Sequence, residues 1–141
     1  MLLLTPSTTT DAPGPVTEWL WAQTSDGQRV GMHGSATASG LPADSDTVLL
    51  VPPPLLSWHR VAVPKVATSR LRAVLDGLLE DRLLDDASQM HFALAPGAQP
   101  GQTLWVAALR ADWLRAALAA LKTAGHAVAR VAPLLWPQPE P

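Results

Sequence analysis

The sequence predicts an α/β (α+β) domain, a mixed β-sheet with two helices packed on it. Three observations carry this. Short apolar runs either alternate with polar residues or are apolar on both faces, as strands are; two longer segments repeat leucine at helical spacing; and Gly/Pro-rich stretches separate them. The chain has 141 residues, 48% of them hydrophobic and 16% charged, enough to bury one core. Residues 1–133 are expected to form a single domain, and residues 134–141, with a proline at every second position from Pro137, a Pro-rich tail or linker.

The elements follow in order. Residues 1–4 (Met-Leu-Leu-Leu) read as a short strand, followed by a Thr/Pro/Gly-rich loop over 5–15 without periodicity. Residues 17–23 place Trp19 and Trp21 on one face and Leu20 on the other, and Ser25-Asp26-Gly27 joins them to residues 29–33 as a hairpin. Thr47 to Val51 is apolar on both faces, the pattern of a central strand, and Pro52-Pro53-Pro54 ends it. Residues 57–63 alternate Trp58, Arg60 and Ala62 against His59, Val61 and Val63 and close at Pro64, as a strand near a sheet edge does.

The first helix is expected to start at Thr68 or Ser69 and to run to about Leu84, with Leu71, Val74, Leu75, Leu78 and Leu79 as its apolar stripe. Arg72, Asp76 and Glu80 form an outer, solvated row at i, i+4, i+8. Residues 89–94 and 103–109 read as a second hairpin around the turn-forming Pro96-Gly97-Ala98-Gln99-Pro100-Gly101. The second helix starts near Ala111-Asp112, carries Leu114, Ala117, Leu118 and Leu121, and stops at Gly125 as the C′ residue. A last strand over 127–131 runs into Pro133.

Composition excludes several function classes. Without cysteine there is no thiol catalysis, disulfide or Cys-based zinc site. Ten basic and twelve acidic residues, spread along the chain, leave no footprint for nucleic acid. The apolar start Met1 to Leu4 is cut off by Thr5-Pro6-Ser7, and no apolar run approaches the roughly 20 residues of a membrane span. His33, His59, His91 and His126 stand at no metal-ligand spacing. Ser57 and His59 share a strand face but are too close in sequence to make a triad alone, and the chain lacks a GxSxG elbow. Glu80-Asp81 and Asp85-Asp86 lie beside Arg82 at a helix end, where ion pairing and solvation account for them. No Gly-rich phosphate loop occurs, so no cofactor is expected. Six Trp against one Phe and no Tyr is unusual. Trp19, Trp21, Trp58, Trp105 and Trp113 are expected at core or half-core positions, with Trp58, on a strand shared with Arg60, the best placed as a partner anchor. Arg72, Asp76 and Glu80 complete the candidate surface.

One resemblance runs through the chain in order: Val51-Pro52; Ser57-Trp58-His59-Arg60-Val61-Ala62-Val63-Pro64; Arg70-Leu71-Arg72 leading to Leu78-Leu79-Glu80-Asp81-Arg82-Leu83; Met90-His91-Phe92-Ala93-Leu94; Leu104-Trp105-Val106-Ala107; and Ala124-Gly125. It resembles the general secretion pathway protein L family. The resemblance implies an inner-membrane component of the bacterial type II secretion system, with an actin-like, ribonuclease-H-like cytoplasmic region. It implies a scaffold, not an enzyme, that docks the secretion ATPase, protein E, at the cytoplasmic face of the inner membrane. In that family a second cytoplasmic lobe, one membrane helix and a periplasmic domain that associates with protein M follow, so the chain resembles a leading fragment, with a homodimer as a further possibility. The rival readings are an actin-like nucleotide-binding protein, which ATP and magnesium would stabilise, and a general protein-interaction adaptor.

Overall fold

In the computed structural model, strand pairing divides the eight strands among the described residues between two sheets, ordered β3-β2-β1-β4-β8 and β5-β7-β6. The structure describes residues 1–8, 12–62, 65, 68–83, 86–94 and 103–135. Two compact units result, Met1–Leu55 with Asp112–Trp136, and Leu56–Ala111. The mixed α/β class with two helices stands, while the single sheet expected from the sequence is replaced by two. Strand alternation reports which face a residue takes, and carries no information on which sheet a strand joins.

In the first unit, β1 (Leu2–Pro6) pairs antiparallel with β2 (Glu18–Thr24) and parallel with β4 (Thr47–Val51). β3 (Val30–Thr37) lies antiparallel outside β2, and β8 (Arg130–Pro133) parallel outside β4. Register puts Leu2, Leu4 and Pro6 beside Trp21 and Trp19 on one face, together with Thr47, Leu49 and Val51. Leu2, Leu4, Leu49 and Trp19 are wholly buried, whereas Leu20, of opposite parity, is 47% exposed. The alternation expected for Trp19, Leu20 and Trp21 is therefore the observed one, and β4 is the doubly covered strand that its apolar faces foretold. β1 runs two residues further than its leucines suggested, because Thr5 and Pro6 extend the ladder opposite Leu20 and Trp19.

The β2–β3 connection is held by Asp26, whose Oδ1 accepts the backbone N–H groups of Gln28 and Arg29 at 2.8 and 2.9 Å, while Gly27 takes a φ of 77°. These backbone bonds hold the Asp26 carboxyl below the usual carboxylate range. The helix α2 (Ala111–Thr123) buries Trp113, Ala117 and Leu121, one stripe at i, i+4, i+8. It ends as expected: Gly125, at φ 92°, donates to the Lys122 carbonyl, and His126 to that of Leu121 at 2.8 Å. This is a Schellman closure, in which the C′ residue must be left-handed. Gly125→Ala is expected to lower stability by about 1–2 kcal/mol through the Cβ penalty in that region, seen as an earlier denaturation midpoint in urea.

In the second unit, β7 (Thr103–Arg110) is central, with β5 (Leu56–Ala62) and β6 (Met90–Leu94) antiparallel on its two sides. The expected pairing of β6 with β7 is present; the turn at 96–101 lies outside the described residues, as do Val63, Pro64, Leu84 and the tail from 136. The helix α1 (Thr68–Leu79) gives way to a 3₁₀ turn, Glu80–Arg82, short of the expected end near Leu84. Val61 and Val106 from the sheet and Leu75 and Leu79 from α1 make the core, with Leu71, Leu83 and Phe92 packed against it.

Candidate interaction surface

Register separates the two faces of the three-stranded sheet. Val61 and Val106 belong to the helix side, and Ser57 and His59 share the parity of Val61 on β5. Trp58 and Arg60 are of the other parity, opposite Ala107 and Trp105 respectively. Trp58 and Trp105 are half-buried and Arg60 exposed. Two indoles one diagonal apart with Arg60 adjacent to both in register give an amphipathic patch, on a face whose Ala107 and Leu109 are buried, able to hold an acidic or planar group through Arg60. Sequence reading found Trp58 and Arg60 but not Trp105 as their cross-strand neighbour. The strand pattern over 103–109 was visible, its register against β5 was not.

The charged row is largely solvated as expected, with Arg72 and Glu80 exposed, and Arg72 makes specific contacts as well. The Arg72 Nε lies 2.9 Å from Asp76 Oδ1, its guanidinium stacks 4.4 Å from the centre of the Phe92 ring, and its Nη2 donates to the Met90 carbonyl on β6. Arg72 thus ties α1 to the outer edge of the sheet through a cation–π contact and a charge-assisted hydrogen bond, while its ion pair with Asp76 stays within the helix. Asp76 orients it. Glu80 is exposed in the 3₁₀ turn. At the other edge, Arg82 Nη1 donates to the Arg60 carbonyl at 3.0 Å. Sequence reading had cast Arg82 only as a countercharge for its acidic neighbours. The five candidate residues therefore do not form one cluster: Trp58 and Arg60 share a sheet face, Arg72, oriented by Asp76, holds the helix to the sheet, and Glu80 stands apart in the turn.

Ser57 Oγ and His59 Nε2 are 2.9 Å apart on the helix side. Burial, and secondarily the positive charge of Arg82, hold the His59 pKa below the ordinary imidazole value of 6.5. His91 is lowered in the same way, by burial and then by Arg72. Because the folded values lie below the unfolded one, the unfolded chain binds more protons in the interval between them, and stability falls with decreasing pH. The stabilisation is complete above pH 6.5 and is lost as pH drops through the folded values. His59→Gln is expected to reduce this slope between pH 7 and 5 in thermal melts, with His91 acting in the same direction. Among the described residues no group of three or more His, Asp or Glu gathers as a metal site, and no helix is long and apolar enough to cross a membrane.

The family model of type II secretion system (T2SS) protein L matches residues 2–139. The chain belongs to the type II secretion system protein L family. Type II secretion system protein L of Pseudomonas aeruginosa is 31% identical over 128 residues, 91% of this chain and 32% of that protein. The Vibrio cholerae protein of the same name is 39% identical over 83 residues, 57% of this chain and 20% of that one. The matched region thus spans a third or less of these protein L relatives. Among solved structures, Cyto-EpsL, the cytoplasmic domain of EpsL, an inner membrane component of the Vibrio cholerae type II secretion system, aligns at a TM-score of 0.69 and 26% identity, over 99% of this chain and 60% of that one. The PilM-PilN type IV pilus biogenesis complex aligns at 0.54 and 15% identity, over 94% and 46%, a likeness of fold alone. Protein L membership and the mixed α/β class named from the sequence are both upheld by these matches.

Proposed function

We propose that this chain is the leading part of the cytoplasmic region of a protein L, and that it acts as a non-catalytic scaffold docking the secretion ATPase, protein E, at the cytoplasmic face of the inner membrane. The observation that carries this reading is the alignment of 99% of the chain with the cytoplasmic domain of an inner-membrane secretion component. The sheet face of Trp58, Arg60 and Trp105 is the docking surface in this reading, because it combines half-buried aromatics with an exposed guanidinium. Protein M would associate with parts of the parent protein that lie beyond this chain, and residues 134–141 would serve as a linker toward them.

The test is calorimetric titration of the chain with the amino-terminal domain of the cognate secretion ATPase. Micromolar or tighter binding is expected, and Trp58→Ala is expected to weaken it by about 30-fold, the effect of a hot-spot aromatic worth about 2 kcal/mol. Unchanged affinity in a Trp58→Ala variant that melts like the parent removes Trp58 from the surface. Absence of binding by a well-folded chain, with the longer cytoplasmic region binding under the same conditions, moves docking to the region beyond it.

A further inference from the structure

The four outer edges of the two sheets differ in how they resist further strands. The β5 edge has its Arg60 carbonyl engaged by Arg82, and the β6 edge its Met90 carbonyl by Arg72. The β8 edge carries Arg130 and Pro133, and Pro133 has no N–H to offer. Charges, prolines and occupied carbonyls of this kind keep exposed edges from pairing. β3 has none of them. Among the described residues no strand lies on its outer side, and its eight residues include no Lys, Arg, Asp, Glu or Pro.

Two features of this edge say what an added strand must carry. Val30, Met32, Gly34 and Ala36 share one strand face, and the first two are 56% and 63% exposed. Trp21, opposite Gly34 on β2, brings its half-buried indole against that glycine: a Cβ there would come within 3.1 Å of Trp21 Cζ2. Gly34 is therefore a gap in an apolar ridge, with an aromatic ring beside it. A large apolar side chain facing Gly34 from an added strand fills the gap and covers the ring.

The second feature is a charge at the Val30 end. An open depression there is lined by Met1, Asp26, Arg29, Val30, Met32 and Asp44, among others. Three of its charged groups are engaged. The Met1 ammonium lies 3.2 Å from Asp44 Oδ2 and donates to the Thr24 carbonyl, and Asp26 Oδ1 accepts the N–H groups of Gln28 and Arg29 and the Thr24 hydroxyl. The exposed Arg29 guanidinium is the fourth, and among the described residues it has no ion pair or side-chain hydrogen bond. A carboxylate suits it, with two parallel N–H donors on offer. β3 has no acidic residue, so a second copy of this edge brings nothing to Arg29. The complement is a different chain.

We infer that β3 takes an extended segment of another polypeptide as an added antiparallel strand, with a large apolar residue opposite Gly34 and an acidic residue about five positions further on, beside Arg29. The backbone ladder supplies affinity, and the two side chains select the segment. This surface is separate from the one assigned to the ATPase, and either assignment can fail without the other.

Selection of a displayed library of random short peptides on the whole chain tests this. Enrichment of alternating sequences that carry the apolar and acidic residues at that spacing is expected. The best of them, made synthetically, is expected to slow hydrogen exchange at the outward-facing β3 amides. In calorimetry Arg29→Glu should weaken that peptide by about tenfold, the size of one charge-assisted hydrogen bond, and replacing the peptide's acidic residue with lysine should restore binding to this variant. Serine in place of the peptide's apolar residue should weaken it to a similar extent. Trp58→Ala should leave peptide affinity unchanged. A library without enrichment overturns the inference, as does protection that falls outside β3 or a charge preference indifferent to Arg29→Glu. Protection of the β3 amides by rising concentration of the chain alone overturns it too, since a second copy would then occupy the edge.

Discussion

Truncation of Trp19 to alanine is expected to destabilise the chain by about 3–5 kcal/mol, the cost of removing a large aromatic from a core that relaxes only partly. Trp19 is wholly buried, with Pro6 of β1 on one side and Ala36 of β3 on the other. Against the roughly 5–15 kcal/mol that separates folded from unfolded domains, that loss is a large fraction of the total. Trp19→Phe is expected to cost much less. It refills most of the volume, and it removes an indole Nε1 that is buried without a hydrogen-bond partner among the described residues, a group whose desolvation works against folding. Leu20→Ala, one residue along and 47% exposed, is the control and should stay within about 1 kcal/mol. Urea denaturation followed by circular dichroism gives the three values. A Trp19→Ala midpoint equal to that of Leu20→Ala would mean that β2 presents the other face to the core.

The legible parts of this fold are those in which a local pattern has one physical solution. Trp19, Leu20 and Trp21 alternate, and alternation in a strand can only mean opposite faces. Thr47 to Val51 is apolar on both sides and is found between two parallel neighbours, where both faces are covered. Gly125 closes α2 because a left-handed residue after an apolar stripe is what a helix end requires. The parts that were not legible depend on pairing between distant segments. Nothing local in residues 56–62 says that they lie beside β7 and not beside β4, so the division into two sheets could not be read. The same gap explains the candidate surface. Trp58 and Arg60 were visible as strand neighbours, but Trp105 comes 45 positions after Arg60 and joins them only through register. Arg72 looked like one member of a solvated row because helical spacing places it beside Asp76. The contacts that give it another role, with Met90 and Phe92, come from a strand 18 or more residues away.

The two adjacent leucines at the end of α1 offer the sharpest test of the second unit. The sequence assigns Leu78 and Leu79 alike to the apolar stripe, and the structure separates them: Leu79 is wholly buried in the core with Val61, Leu75 and Val106, while Leu78 is 49% exposed. The reason is angular. On the helix Leu71, Leu75 and Leu79 span an arc of about 80° centred on Leu75, whereas Leu78 lies about 60° from Leu75, beyond Leu71 at the edge of that arc. Leu79→Ala is therefore expected to cost about 2–5 kcal/mol, the transfer of its side chain plus the cavity left between α1 and the sheet. Leu78→Ala should cost under about 1 kcal/mol, since alanine is also the better helix former and recovers part of the loss. A Leu79 truncation would also loosen the packing under β5, the strand that holds Trp58 and Arg60 in place. On the proposed function it should therefore weaken ATPase binding together with stability, whereas Trp58→Ala should weaken binding alone. Equal losses for the two leucines would place the helix stripe where the sequence pattern put it, with Leu78 inside.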